Sequence, residues 1–311
     1  MSNTEELSEM NSDRFHKLHL VESQPLQING LPLSAPAYTK WTFEYFANIG
    51  SKVLINLADD PKKRGITSRR STITQYIDMM KNDPECPYMS GWAYETDFKE
   101  LSEDFELPSF HPKDFIDLLP KSLRFRRQWI FFGKEGLSSD LHVDCFDTNA
   151  WLMMIQGTKT FRCLSPVYKD LVKWDDSLFD EDLVEKLKKE GATVHEFKVS
   201  RGSMLYIPSG WIHHVRNDTD TIMVTGNFSS HNHVIRFYPN FRELIAKDAI
   251  LCDRIFQEYI QSLKGQSFIS VETEASLREH KKNIEGEMKY YQEILFIYNE
   301  FLSKTTQSVA G

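Results

Sequence analysis

His142-Val143-Asp144 and, seventy-one residues after His142, His213 within Ile207-Pro208-Ser209-Gly210-Trp211-Ile212-His213-His214-Val215 decide how this chain folds. Alternate side chains of an extended segment share a face, so His142 and Asp144 point the same way. Two imidazoles and one carboxylate are the donors with which a protein grips non-haem Fe(II) from one side and leaves the other side open. A third donor so far off in sequence demands a fold that brings distant strands together. His213 and His214 both qualify for it. On an extended segment they face opposite ways, so one can join the pair and the other packs or hydrogen-bonds elsewhere.

Around this pair the chain is written in short β-branched or aromatic-rich runs, at 128–132, 142–144, 151–156, 159–164, 194–199, 203–207 and 222–227. Gly133, Gly157, Gly202 and Gly210 punctuate them. Many short strands with a metal in their mouth indicate a jelly roll of the cupin kind. Upstream, residues 1–22 are rich in Ser, Asn and Glu and read as a flexible arm. A helix carrying Trp41, Tyr45 and Phe46 ends near Gly50, residues 53–57 read as a buried strand, and 74–81 as a short helix. Residues 180–190 read as a charged helical insertion, and from about Phe241 the pattern is helical again. Apolar residues of that tail, from Leu244 through Leu251, Ile255 and Ile260 to Tyr290, Ile294, Phe301 and Leu302, form faces that must pack on the barrel or on a second copy of the chain. The expected fold is mainly β with α: a double-stranded β-helix (jelly roll, cupin-like) with N-terminal α/β elements and a C-terminal helical extension. The divisions are an arm at 1–22, a catalytic domain at 23–236 and a helical region at 237–311.

Composition narrows the function. At 311 residues, 41% hydrophobic and 13% aromatic, the chain has ample material for a core. Its N-terminus lacks the basic start and apolar run of a signal peptide, and no apolar stretch approaches membrane-spanning length, so an intracellular protein, cytoplasmic or nuclear, is expected. Cys86, Cys145, Cys163 and Cys252 form no C-x-x-C pair and read as reduced thiols. A formal net charge of -8 argues against affinity built on nucleic-acid phosphates. The basic runs Lys62-Lys63-Arg64, Arg69-Arg70 and Arg124-Phe125-Arg126-Arg127 read as ordinary solvated surface.

Taken together, His142-x-Asp144, Ala150-Trp151, Gln156-Gly157-x-Lys159, Pro166, Ile207-Pro208-x-Gly210-Trp211-x-His213 and Asn227-Phe228 resemble the JmjC domain, a family of Fe(II)- and 2-oxoglutarate-dependent oxygenases. The resemblance covers roughly residues 25–235 and implies His213, two residues after Trp211, as the third metal ligand. The seventeen-residue spacing from His142 to Lys159, with Trp129 and Gly133 before the pair and Thr225-Gly226-Asn227-Phe228 after the last ligand, looks most like the lysyl-hydroxylase branch once called phosphatidylserine-receptor proteins. Leu152 and Cys145 depart from the pattern, standing where the branch has a polar residue and the family a proline.

The resemblance implies Fe(II), 2-oxoglutarate as cosubstrate and O2. A dicarboxylate that chelates iron at one end needs a cation at the other, and Lys159 supplies a point charge there. Thr225 resembles the hydroxyl that shares this carboxylate, and Tyr88 its phenol partner. Ser139 matches by position a small hydroxyl residue near the cosubstrate, and Asn227 approaches the open side of the metal. Asp144 leaves no ligand position for a halide, which disfavours halogenation. The implied reaction is hydroxylation of a protein substrate at a lysine side-chain carbon. Alternatives are demethylation of N-methyl-lysine, hydroxylation of a transfer-RNA base, which the acidic charge disfavours, and a catalytically silent binding protein acting through its helical tail. His195, His231 and His233 read as surface residues or supports behind the ligands.

Overall fold

The stretch from Asn149 to Gln156 is apolar at nearly every position, which suits a strand covered on both faces. The computed structural model bears this out; it describes residues 3–58, 69–89, 91–120, 124–230 and 233–244. Among them are twelve strands, β1 (Thr4–Glu6), β2 (Leu26–Asn29), β3 (Leu54–Ala58), β4 (Arg69–Thr72), β5 (Tyr88–Met89), β6 (Gln128–Gly133), β7 (Asn149–Gln156), β8 (Thr158–Leu164), β9 (Val194–Ser200), β10 (Met204–Ile207), β11 (Ile212–Asn217) and β12 (Thr221–Phe228). A six-stranded sheet runs in the order β1-β2-β10-β7-β12-β6, facing a three-stranded sheet β11-β8-β9; β4-β3-β5 form a small third sheet.

Along β7 the two periodicity-2 sets of side chains enter different cores. Ala150, Leu152 and Met154 fill the gap between the first two sheets against Phe161, Phe197 and Val199. Trp151, Met153 and Ile155 face the N-terminal layer, with Phe46, Trp92 and Phe132. Each such fully buried side chain is worth roughly 1.5–3 kcal/mol. Two glycines permit close approaches between neighbouring turns and strands. Gly157 turns the β7–β8 hairpin at φ +80, where a Cβ would stand 2.2 Å from the Asp220 carbonyl oxygen. Gly226 lies against the Trp151 indole, 2.5 Å from where its Cβ would be.

Six α-helices are present among the described residues: α1 (Ser12–Phe15), α2 (Pro36–Lys40), α3 (Phe43–Ile49), α4 (Ile73–Asn82), α5 (Glu181–Lys189) and α6 (Val234–Leu244). Several expectations need correction. The N-terminal segment is not a loose arm: β1 pairs in parallel with β2, and Met10, Phe15 and Leu20 are buried, because three apolar anchors in a polar stretch suffice to tie it to the core. The helix expected through Trp41 is two helices. Trp41 is extended and donates its indole N–H to Asp104 at 2.7 Å, while Thr42 caps α3 by accepting from the Tyr45 amide. In β3, Leu54 is 63% exposed, so this strand is covered on one face only. The insertion forms α5, capped by Asp180, and Leu178 and Leu187 pack with Leu141 and Ile212 behind the ligand segment.

The described part of the C-terminal region packs on connecting segments of the same chain: Phe237, Tyr238 and Phe241 of α6 are buried, against Phe115 and Phe125. The tail from residue 245, Lys62-Lys63-Arg64, His231 and Cys252 lie outside the described residues. The run at 124–127 is not simply solvated, since Arg127 pairs with Asp114 and Asp117, and Arg124 donates to the Leu119 carbonyl. Cys86 and Cys163 are buried free thiols. Among the described residues no helix is long and apolar enough to cross a membrane.

Candidate metal centre

His142 and Asp144 lie between β6 and β7 on a segment that is bridged to β11 without becoming a regular strand. The His142 amide donates to the His213 carbonyl at 3.0 Å and the His213 amide to that of His142 at 2.7 Å. The bridge puts the two imidazoles side by side, with ring centroids 4.1 Å apart. Donor atoms of His142, Asp144 and His213 all lie within 4.8 Å of one another.

Each ring is also fixed in its tautomer. Nδ1 of His142 stands 2.8 Å from the Asp140 carbonyl oxygen, and Nδ1 of His213 stands 3.0 Å from that of Trp211. A carbonyl only accepts, so each imidazole carries its proton on Nδ1 and keeps the Nε2 lone pair for a metal. Two imidazoles and a carboxylate in this reach fit Fe(II).

His214 points to the other side of β11. Its Nδ1 accepts from the Leu178 amide at 3.2 Å, which leaves Nε2 to donate to Ser138 Oγ at 2.9 Å. Phe179 packs on its ring. The choice between the two histidines left open by strand alternation is therefore decided by geometry: His213 joins the cluster and His214 ties the insertion to the outer sheet.

The three clustered residues, together with Lys159, Thr225, Tyr88, Ser139 and Asn227, border one cavity of about 220 Å³. Lys159 reaches it from β8 and Thr225 from β12, on opposite sheets. Lys159 is 3% exposed, its ammonium lies 5.8 Å from the Phe131 ring centroid, and it has no carboxylate partner among the described residues. Burial drives its pKa down to about 7. A buried cation without an anion is a ready seat for a ligand carboxylate.

The other expected residues are more heavily committed. Thr225 donates its hydroxyl proton to the Trp151 carbonyl at 2.8 Å, and Ser139 donates to that of Asp140 at 2.9 Å. Asn227 donates its amide to Thr148 Oγ1 at 2.9 Å, and Thr148 donates to the Cys145 carbonyl at 2.8 Å. Tyr88 is half-buried at the cavity wall, on β5. Leu152 and Cys145, the two departures from the pattern, also line the cavity. Phe131, Met223 and Val215 complete an apolar wall that the sequence reading did not single out. Strand alternation from Trp129 to Phe131 was the available signal. Of the remaining histidines, His195 packs between Phe197 and Trp211, and His233 is wholly buried at the start of α6, so the surface reading fails for it.

Immediately after Asp144 the chain makes a left-handed turn at two non-glycine residues, Phe146 at φ 55 and Asp147 at φ 52. Each such residue costs roughly 1–2 kcal/mol of backbone strain. That strain brings the chain from the ligand into β7.

Residues 12–233 match the profile of the family described as cupin-like domain. Among curated relatives, the bifunctional arginine demethylase and lysyl-hydroxylase psr-1 of Caenorhabditis elegans is 26% identical over 225 residues, covering 66% of this chain and 56% of that protein. Lysine-specific demethylase JMJ21 of Arabidopsis thaliana is 26% identical over 244 residues, 73% of this chain and 25% of that one. Arginine-specific demethylase JMJ22 of the same plant is 22% identical over 246 residues, 72% and 46% respectively. The chain thus spans 56% or less of the length of these three relatives. With a family match over most of its length, a two-sheet roll and a His-Asp-His cluster at the mouth, the chain belongs to the cupin-like domain family, as one of its JmjC-type members.

Proposed function

We propose that the protein is an Fe(II)- and 2-oxoglutarate-dependent oxygenase that hydroxylates a C–H bond of a protein substrate, at a lysine side chain. The observation that carries this reading is Lys159, a buried lysine with no carboxylate partner among the described residues, in the same cavity as the triad. A cupin that merely binds metal has no use for such a group. In this reading His142, Asp144 and His213 hold the iron from one side, and Lys159 receives the far carboxylate of the cosubstrate. Thr225 assists once its hydroxyl turns from the Trp151 carbonyl. Phe131, Met223 and Leu152 keep water from the chelate, while Tyr88, Ser139 and Asn227 shape the space beside it.

When bound, iron with 2-oxoglutarate and dioxygen supplies the oxidising chemistry: one oxygen atom enters the substrate C–H bond and the other leaves in succinate, with release of carbon dioxide. The lysine assignment leans on the hydroxylase named in the psr-1 relative. The same name includes an arginine demethylase, and the other relatives named above are demethylases, so the product must be identified.

Anaerobic addition of Fe(II) and 2-oxoglutarate should give the weak visible charge-transfer band of the chelate, and admitting air should give succinate. Metal-loaded protein with neither band nor succinate would sink the oxygenase reading and favour a silent binding protein. A +16 mass shift on substrate protein that requires Asp144 identifies hydroxylation. Formaldehyde release without that shift identifies demethylation.

A further inference from the structure

The left-handed turn that follows Asp144 is held from two sides. On the cavity side, Asn227 donates to Thr148, and Thr148 closes the turn onto the Cys145 carbonyl. On the outer side stands α6, nearly a hundred residues further along the chain. Asn240 of α6 donates its side-chain amide to Asp147 Oδ2 at 2.9 Å. The Phe146 ring sits between Phe125, at 5.2 Å, and Phe241 of α6, at 6.2 Å between centroids. Phe241 in turn stacks on Phe237 at 5.2 Å. Both residues in the unfavourable backbone region are thus gripped by the same helix, one by a hydrogen bond and one by aromatic packing.

A bulky aromatic residue adopts this conformation only where its surroundings enforce it. Relaxation of Phe146 and Asp147 towards ordinary backbone angles would swing Asp144, two residues before Phe146, away from His142 and His213. We propose that α6 is a clamp on the metal site, with Asn240 and Phe241 as positioning residues that set the place of the Asp144 carboxylate. The inference rests on the reading of His142, Asp144 and His213 as metal ligands. It gives the first turns of the C-terminal region a task inside the catalytic unit, separate from any association with a second chain.

The test is a metal titration of the 311-residue chain with Co(II), read by its visible ligand-field bands. Asn240 is exposed, so Asn240→Ala leaves the core untouched. Wild type should bind; Asn240→Ala and Phe241→Leu should bind about tenfold more weakly, the lower end of losses seen when outer partners of ligands are removed. Their bands should change shape as the carboxylate shifts. Asp147→Gly added to Asn240→Ala should restore most of the affinity, because glycine takes the left-handed conformation at no cost. A purely structural role for α6 predicts no such rescue. Wild-type protein that binds no Co(II) overturns the ligand reading and this inference with it. Wild type that binds, with Asn240→Ala and Phe241→Leu binding equally tightly, overturns the clamp alone, as does weakened binding that Asp147→Gly fails to restore.

Discussion

Binding of 2-oxoglutarate should be coupled to the uptake of one proton by Lys159. In the ligand-free cavity burial holds this lysine's pKa at about 7, against 10.5 for the ordinary side chain. A carboxylate seated against it requires the ammonium form, so protein that is neutral at this site must first gain a proton. From a free-site pKa of about 7, uptake per cosubstrate should rise from about 0.1 proton at pH 6 to about 0.9 at pH 8. Apparent affinity should fall on the order of a hundredfold from pH 6 to pH 9, as long as the bound-state pKa stays above that range. Anaerobic calorimetric titrations in phosphate and in Tris, whose ionisation enthalpies differ, count the protons directly. Lys159→Met should bind weakly and lose the pH slope. Equal heats in the two buffers at pH 8, with flat affinity across the range, would refute the reasoning. Stability carries the same signature without ligand. Between about pH 7 and 10.5 the unfolded chain binds more protons than the folded one, so stability should rise with pH across that window and be lowest below it.

Other substitutions test the remaining structure. His213→Ala should abolish metal binding, whereas His214→Ala should keep it at a cost of about 1–3 kcal/mol in urea unfolding, since the buried Leu178 amide loses its acceptor. Loss of metal in His214→Ala with retention in His213→Ala would reverse the ligand choice. Gly226→Ala should destabilise by about 1–3 kcal/mol, because the new methyl group meets the Trp151 indole on the neighbouring strand; an unchanged melting temperature would mean that the indole can move aside at no cost. Asp104→Ala should cost about 1–3 kcal/mol by stranding the buried Trp41 indole N–H and releasing Lys40, and a denaturation midpoint equal to wild type would contradict that accounting.

The barrel was legible because its strands are short β-branched or aromatic-rich runs set off by glycines: 151–156, 159–164 and 222–227 reappear as β7, β8 and β12, lengthened by one or two residues each. The triad was legible for a related reason, since an H-x-D pair and a distant histidine have meaning only together. What resisted reading depends on contacts between segments far apart. Nothing local in residues 1–22 marks Phe15 as a core residue; its burial comes from Phe110 and Tyr206, far along the chain. The break at Trp41 follows from an acceptor on Asp104, sixty-three residues away. The turn at Phe146 and Asp147 carries no glycine to advertise it, and its supports come from β12 and α6. Thr225 shows the opposite limit: it lines the cavity, but its proton is already engaged by the Trp151 carbonyl.

The bridge between His142 and His213 bears on folding as well as on chemistry. A metal joined to both would staple the ends of a loop that contains β7, β8, α5, β9 and β10. In a chain-entropy description, a cross-link across about seventy residues restrains the unfolded state by on the order of 4 kcal/mol. In the ligand-free protein the same junction rests on a few backbone hydrogen bonds. Iron would then act as a reversible staple, and a site emptied of it would open first at the mouth of the roll, where proteases can enter, while the base stayed shut.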